Sequence, residues 1–310
     1  MMNLNSTTPF DLAAFFSDLQ EKIFIKPNPG NAGDSLIAVA TFQFFEKHNI
    51  VYEVLTNDNF DSSGKIVVFG GGGNFGGLNS CAANFIKLHH NRAKQFILLP
   101  HTLFGAEQLL AELGSNVHLM CREKVSYQHS LKHASQANVY LHDDMVINCE
   151  VSAILAQSKD VSISKHVIEE VFRRIRGIDD YDYGISLRCI IHYWLYRAKQ
   201  LFKPKTKSNI LNAFRVDVEK TDIVIPEDNL DISDLFELSS CQVDLALLAT
   251  QKFLSYINRF DVINTNRLHV AIAATLLGKQ VNLYGNNYFK IKAIYEFSLL
   301  NKFNNVKWME

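Results

Sequence analysis

The stretch "DVINTNRLHVAIAATLLGKQVNLYG", residues 261–285, decides the fold. "DVINTN" and "QVNLYG" have strand composition, and the segment between them has helical length and closes on a glycine. That helix is too apolar to lie on a surface, so protein must cover it, as in the crossover of a parallel sheet. The same alternation extends outward along the chain. Strands are expected at "KIFIK" (22–26), "KIVVFG" (65–70), "QFILLP" (95–100), "NVHLMCRE" (116–123), "NVYLHDD" (138–144) and "NILNAFRVD" (209–217). Helices such as "DSLIAVATFQFFEKHN" (34–49) and "VDLALLATQKFLSYINRF" (243–260) separate them, and a last helix follows Tyr288. The class is α/β.

With 310 residues, two domains are the better expectation. The first, residues 1–155, is a doubly wound unit, and the second, residues 209–310, resumes the alternation after a segment of different character. In that crossover, residues 156–208, nine Lys or Arg stand against three Asp between Arg173 and Lys207, with aromatics concentrated in "CIIHYWLYRAKQLF". Two readings stand for it: a helix packed at a domain interface, or a contact with an anionic membrane surface, where aromatic and basic residues suit the headgroups.

A formal net charge of -1 gives no global bias toward nucleic acid, and no nucleic-acid partner is expected. The five cysteines are odd in number and form no C-x-x-C pair, so free thiols are expected rather than a disulfide framework or a zinc site. The N-terminal stretch lacks a basic region before its apolar residues and does not read as a signal peptide. Residues 66–86 carry no charge, yet six glycines interrupt them, so no membrane span is expected. No His or Cys cluster has metal-ligand spacing, and "HDDM" (142–145) reads as a strand-end turn rather than a carboxylate site; a metal is not expected.

Four stretches carry candidate chemistry. In "PNPGNAGDSLIA" (27–38), Gly30 and Gly33 allow a tight strand-to-helix turn, and Asp34 stands where the helix dipole favours a carboxylate. A capped glycine turn and a ligand site at a strand's carboxyl end are both open. "VVFGGGGNFGGL" (67–78) contains G-x-G-x-x-G, but no acid follows at the distance a dinucleotide ribose needs, so only close approach by a ligand or another segment is inferred. In "NAFRVDVEKT" (212–221), Arg215, Asp217 and Glu219 alternate as on one face of a strand, which an edge strand would also show. Arg267 and His269 sit at a helix start whose dipole disfavours cations, an arrangement that makes sense if an anion lies between them; an arginine bent into water and a histidine without a ligand are the plain alternatives. Lys290, after the next strand, is either a second cation for that anion or a surface lysine.

These residues together carry a resemblance. "GNAGD" (30–34), "GGGGNFGG" (70–77), "CREKVSY" (121–127), "FRVDVE" (214–219) and "NTNRLHVAIAATLLGK" (264–279), in this order and spacing, resemble the polysaccharide pyruvyl transferase family. Members often have a Pro-Gln-Ser type sequence after the third strand, where this chain has "LPHTLFG" (99–105).

The resemblance implies two Rossmann-like domains facing a cleft, similar to the GT-B type glycosyltransferase fold. The N-terminal domain would supply the acceptor side and the C-terminal domain the phosphoenolpyruvate side. It implies transfer of an enolpyruvyl unit from phosphoenolpyruvate to a sugar of a polysaccharide precursor, forming a ketal and releasing phosphate. Phosphoenolpyruvate is then a co-substrate and no cofactor is expected. The acceptor is a lipid-linked or nucleotide-linked glycan, and the setting is cytoplasmic, with possible peripheral membrane contact. Under this reading His269 is the acid/base group and Arg267 a catalytic cation that also binds phosphoenolpyruvate with Arg215, Lys290 and Arg122. Asn31, Asp34, Gly72, Gly73, Asn74 and His101 are the acceptor contacts. A nucleotide-sugar glycosyltransferase of the same fold and a non-catalytic glycan-binding protein are the alternatives.

Overall fold

The computed structural model describes residues 10–55, 58–76, 80–157, 209–216 and 223–309, together with the single residues 168 and 172. Almost all of the expected crossover, residues 156–208, lies outside them, as do Asp217 and Glu219. The chain divides into two compact units, one of residues 1–26 and 42–145 and the other of residues 27–41 and 146–310. The "PNPGNAGD" turn thus groups with the second unit, although in sequence it lies well before residue 155.

The first unit holds a six-stranded parallel sheet in the order β2-β1-β3-β4-β5-β6. Its strands are β1 (Ile23–Lys26), β2 (Tyr52–Val54), β3 (Ile66–Phe69), β4 (Gln95–His101), β5 (Val117–Cys121) and β6 (Asn138–Leu141). All five strands read from the sequence in this region are present. The edge strand β2 was not among them, because a three-residue "YEV" with no buried position carries little periodic signal. The order switches direction between β1 and β3, and in open α/β sheets ligand loops leave the carboxyl ends of the strands at such a switch.

Helix α1 (Leu12–Leu19) precedes β1, α2 (Ala32–Lys47) joins β1 to β2, α3 (Cys81–His89), α4 (Glu107–Glu112) and α5 (Lys124–His133) connect β3 through β6, and α6 (Val151–Ala156), which groups with the second unit, follows β6. Phe69, Phe75, Phe85, Phe96 and Leu98 belong to one buried cluster of the first unit. Helix α1 is fixed by rings: Phe10 stacks on Tyr140 with centroids 4.2 Å apart, and Phe15 lies 5.1 Å from His118.

The second unit holds a four-stranded parallel sheet in the order β10-β9-β8-β7. Its strands are β7 (Ile210–Ala213), β8 (Val262–Thr265), β9 (Gln280–Tyr284) and β10 (Val306–Met309). Helices α7 (Ile232–Leu235), α8 (Val243–Ile257), α9 (Leu268–Leu276) and α10 (Lys290–Ile294) accompany them, and a π-helical turn, Tyr295–Leu299, continues α10. The decisive stretch is indeed strand, helix, strand, and seven of the nine residues of α9 are buried.

One face of this second sheet carries a row of amides. Asn212, Asn264 and Asn282 are in register on β7, β8 and β9. Asn282 Nδ2 donates to Asn264 Oδ1, Asn264 Nδ2 to Asn212 Oδ1, and Asn212 Nδ2 to the Asp228 carboxylate, each at 2.8 Å. No helix among the described residues is long and apolar enough to cross a membrane. The four described cysteines, Cys81, Cys121, Cys149 and Cys241, are free thiols.

Candidate functional site

The "GNAGD" segment folds as a reciprocal cap on α2. Asn31 Oδ1 accepts from the Gly33 N–H at 2.9 Å, and the Asp34 carboxylate reaches back to accept from the Asn31 N–H at 3.0 Å. This is the logic of a capping box, with Asn31 rather than Asp34 at the cap position and the acid three residues on. Asn28 Nδ2 adds a second donor to Asp34 at 2.8 Å. Gly30 permits the fold-back, since a Cβ there would lie 2.0 Å from Asp34 Oδ2. Asn31 and Asp34, expected as acceptor contacts, both serve the geometry of this turn.

What the turn presents is Gly33, and what meets it is His269. A Cβ at Gly33 would stand 2.8 Å from His269 Nδ1, so the imidazole rests on bare backbone. His269, half-buried in the first turn of α9, is thereby brought together with the glycine turn from the other end of the sequence. Ser240 Oγ anchors the same segment by donating to the Asn28 carbonyl at 2.7 Å.

Arg267 occupies the cap position of α9 and is 6% exposed. Its guanidinium meets carboxylates of the protein itself. Nε donates to Asp231 Oδ1 at 3.0 Å, Nη2 donates to Asp231 Oδ2, and Nη2 also lies 3.2 Å from Asp234 Oδ1. Two carboxylates, Asp231 at the cap of α7 and Asp234 within it, thus answer the unfavourable placement of a cation at a positive helix end. Burial pushes the Asp231 carboxyl pKa up, opposed by the Arg267 guanidinium, which favours the ionised form.

Arg215 lies past the end of β7 rather than within it, so the expected alternation of Arg215 along a strand is not continued. The strand stops at Ala213, and the backbone turns aside where Phe214 N–H donates to Asn229 Oδ1 at 2.7 Å and Arg215 N–H to Asn266 Oδ1 at 2.8 Å. That second bond ties "FRVD" to "NTNRLH". Asn266 is fully buried, and its Nδ2 has no hydrogen-bond partner among the described residues. The sequence reading quoted Asn266 without assigning it; its one signal was its place immediately before Arg267. Lys290 opens α10, half-buried in the same unit, with Nζ 5.4 Å from the centre of the Tyr288 ring.

The remaining candidates belong to the first unit. Gly72 bridges to His101 across the end of β4, Gly72 N–H donates to the Pro100 carbonyl at 3.2 Å, and Thr102 N–H donates to the Gly72 carbonyl at 3.0 Å. Asn74 N–H donates to His101 Nε2 at 3.2 Å, so Gly72, Gly73, Asn74 and His101 share one locality. His101 is fully buried within it. Of the two causes offered for the glycines, one is visible at Gly76, where a Cβ would lie 2.4 Å from the Phe104 ring.

Arg122 is fully buried. Its Nη1 donates to Asp144 at 2.7 Å and its Nε to Thr102 Oγ1 at 2.9 Å. The carboxylate it faces is thus Asp144, from the "HDDM" stretch read as a plain turn. Lys26, at the end of β1, is a buried cation the sequence reading passed over; it pairs with Asp58 and lies over the Phe85 ring.

The sequence profile described as polysaccharide pyruvyl transferase matches residues 31–288. EpsO of Bacillus subtilis (strain 168), named as a candidate pyruvyl transferase, is 25% identical over 285 residues, covering 85% of this chain and 80% of that protein. A crystal structure of a functionally uncharacterized protein from Klebsiella pneumoniae subsp. pneumoniae NTUH-K2044 is similar with a TM-score of 0.68 and 28% identity, covering 96% of each chain.

Proposed function

We propose that this chain, which belongs to the polysaccharide pyruvyl transferase family, takes the enolpyruvyl unit of phosphoenolpyruvate and sets it on a sugar as a ketal. Membership makes it a transferase of pyruvyl groups to polysaccharide; the donor, the ketal and the residue roles are our reading. The observation that carries it is the meeting of His269 with Gly33 beside the Arg267–Asp231 pair.

In this reaction the methylene carbon of phosphoenolpyruvate takes a proton and the adjacent carbon becomes an oxocarbenium-like electrophile. One sugar hydroxyl adds there and gives up its proton. A second hydroxyl then displaces phosphate, closes the ketal and releases its proton with the leaving group. A single imidazole that delivers the first proton and collects one from a hydroxyl ends the cycle as it began, the work suited to His269.

Arg267 takes a different part from the one its sequence position suggested. With Asp231 and Asp234 beside it, its charge is already met by two carboxylates, so it acts as a positioning residue that fixes the turn bearing His269. Phosphate and carboxylate of the donor then fall to Arg215, Lys290 and the amide of Asn266, whose buried N–H has no hydrogen-bond partner among the described residues. The acceptor remains assigned to the locality of Gly72, Gly73, Asn74 and His101. The fold is proposed to be of the GT-B type, with peripheral membrane contact as a further expectation.

The test is calorimetric titration of the full chain with phosphoenolpyruvate and with a panel of nucleotide sugars, for wild type, Arg215→Gln and His269→Ala. The expected result is saturable phosphoenolpyruvate binding, weakened in Arg215→Gln and retained in His269→Ala. Saturation by a nucleotide sugar with none by phosphoenolpyruvate would overturn the reading.

A further inference from the structure

The first unit carries a second group of donors that pyruvyl transfer does not use. His129 and His133 are four residues apart on α5, and their ring centres are 4.8 Å apart. Residues at that spacing share a helix face one turn apart. Glu107 opens α4, and one ligand atom from each of the three side chains lies within 4.8 Å of the others. Both rings are half-buried and the carboxylate is exposed, so the group is reachable from solvent.

The approach to α4 sets this up. Gly105 and Ala106 are consecutive left-handed residues, with φ of 62° and 53°, and this turn puts the Gly105 carbonyl against the His129 ring, 3.0 Å from Nε2. The same nitrogen lies 4.0 Å from Glu107 Oε1, so Nε2 is the ring atom that faces the carboxylate, and on ligating a metal it would exchange the Gly105 carbonyl for the ion. The reading of the sequence overlooked "HSLKH" (129–133) because the two histidines make no motif without Glu107, which lies 22 residues before His129.

We infer that Glu107, His129 and His133 form a binding site for a divalent transition-metal ion that pins α4 to α5. Two imidazoles and one carboxylate suit zinc, nickel, cobalt or copper rather than magnesium or calcium, which prefer oxygen donors throughout. Three protein ligands leave at least one position for water. The inference is independent of the donor proposed for the transferase reaction.

Chelator-treated full-length protein is titrated with zinc chloride by calorimetry, and with cobalt(II) while its visible spectrum is recorded. We expect one equivalent of uptake, a rise in thermal midpoint with metal concentration, and a cobalt spectrum without a thiolate charge-transfer band. Glu107→Gln, His129→Gln and His133→Gln should each weaken zinc binding by at least about tenfold, a loss that even changes behind a metal's direct ligands can cause. These positions are exposed or half-buried, and circular dichroism verifies that each variant is folded. No saturable uptake by wild type, unchanged affinity in the three variants, or a thiolate band that places the metal on a cysteine would each overturn the site.

Discussion

The His269 imidazole rests directly on the backbone of Gly33, so that a Cβ at residue 33 would stand 2.8 Å from Nδ1 and 3.0 Å from the histidine's own Cβ. Neither contact has room for a methyl group, and the ring must shift if one is added. Because misplacing a catalytic group by an ångström costs on the order of a hundredfold in rate, Gly33→Ala is expected to lower pyruvyl transfer by about that factor. Steady-state kinetics beside a thermal melt checks this; a melt that falls as steeply as the rate would mean the glycine serves folding instead.

His269→Ala should lower turnover by roughly 10²–10⁴-fold, the usual worth of a positioned acid/base group, with phosphoenolpyruvate affinity little changed. Rapid-quench measurement of phosphate release separates the two quantities. Loss of affinity with turnover intact would move His269 from proton transfer to binding.

Arg267 and Asp231 should behave as one unit. Removing either alone leaves a buried charge poorly compensated, at about 3–5 kcal/mol, whereas Arg267→Met with Asp231→Leu should cost clearly less than the two singles summed. Denaturant melts of the four proteins in the cycle give the coupling. Additive losses would mean that the two side chains do not depend on each other.

The same cycle applied to Arg122 and Asp144 should give a coupling at least as large, since both side chains are all but inaccessible. Arg122→Met alone is expected to destabilise by about 3–5 kcal/mol without a specific effect on phosphoenolpyruvate binding. If affinity for phosphoenolpyruvate falls while the melt stays put, Arg122 belongs with the ligand contacts.

Burial lowers the His118 pKa where it packs against Phe15 and Tyr140. The unfolded chain therefore binds this proton more tightly than the folded one. Stability rises with pH across that window and is lost as pH falls through the ordinary histidine value, about 6.5. Thermal midpoints between pH 7.5 and pH 5 should fall less in His118→Phe than in wild type; parallel curves would exclude His118 as a source of the acid lability.

Most of the architecture was legible because alternating strand and helix composition is a strong periodic signal, clearest around α9 and β9. The short edge strand β2 was not, since three residues without a buried position give no period. At the site, the sequence pointed to Gly33, Arg267 and His269 but held no sign that the first and last would touch, separated as they are by most of the chain. The partners of charged groups were the least legible part. Asp231 for Arg267 and Asp144 for Arg122 are read from geometry alone, because a carboxylate's partner is fixed by the three-dimensional path between them and not by spacing.

The amide row Asn282, Asn264, Asn212 and Asp228 has a sense of direction. Every donor points the same way, toward a terminal group that can only accept, so Asp228 dictates which way round all three carboxamides stand. Replacing the middle member with leucine strands an acceptor on one side and a donor on the other, while replacing Asp228 with a group that donates reverses the preferred orientation down the line. For anyone redesigning this sheet, the four positions are one word and not four letters: they have to be rewritten together or left alone.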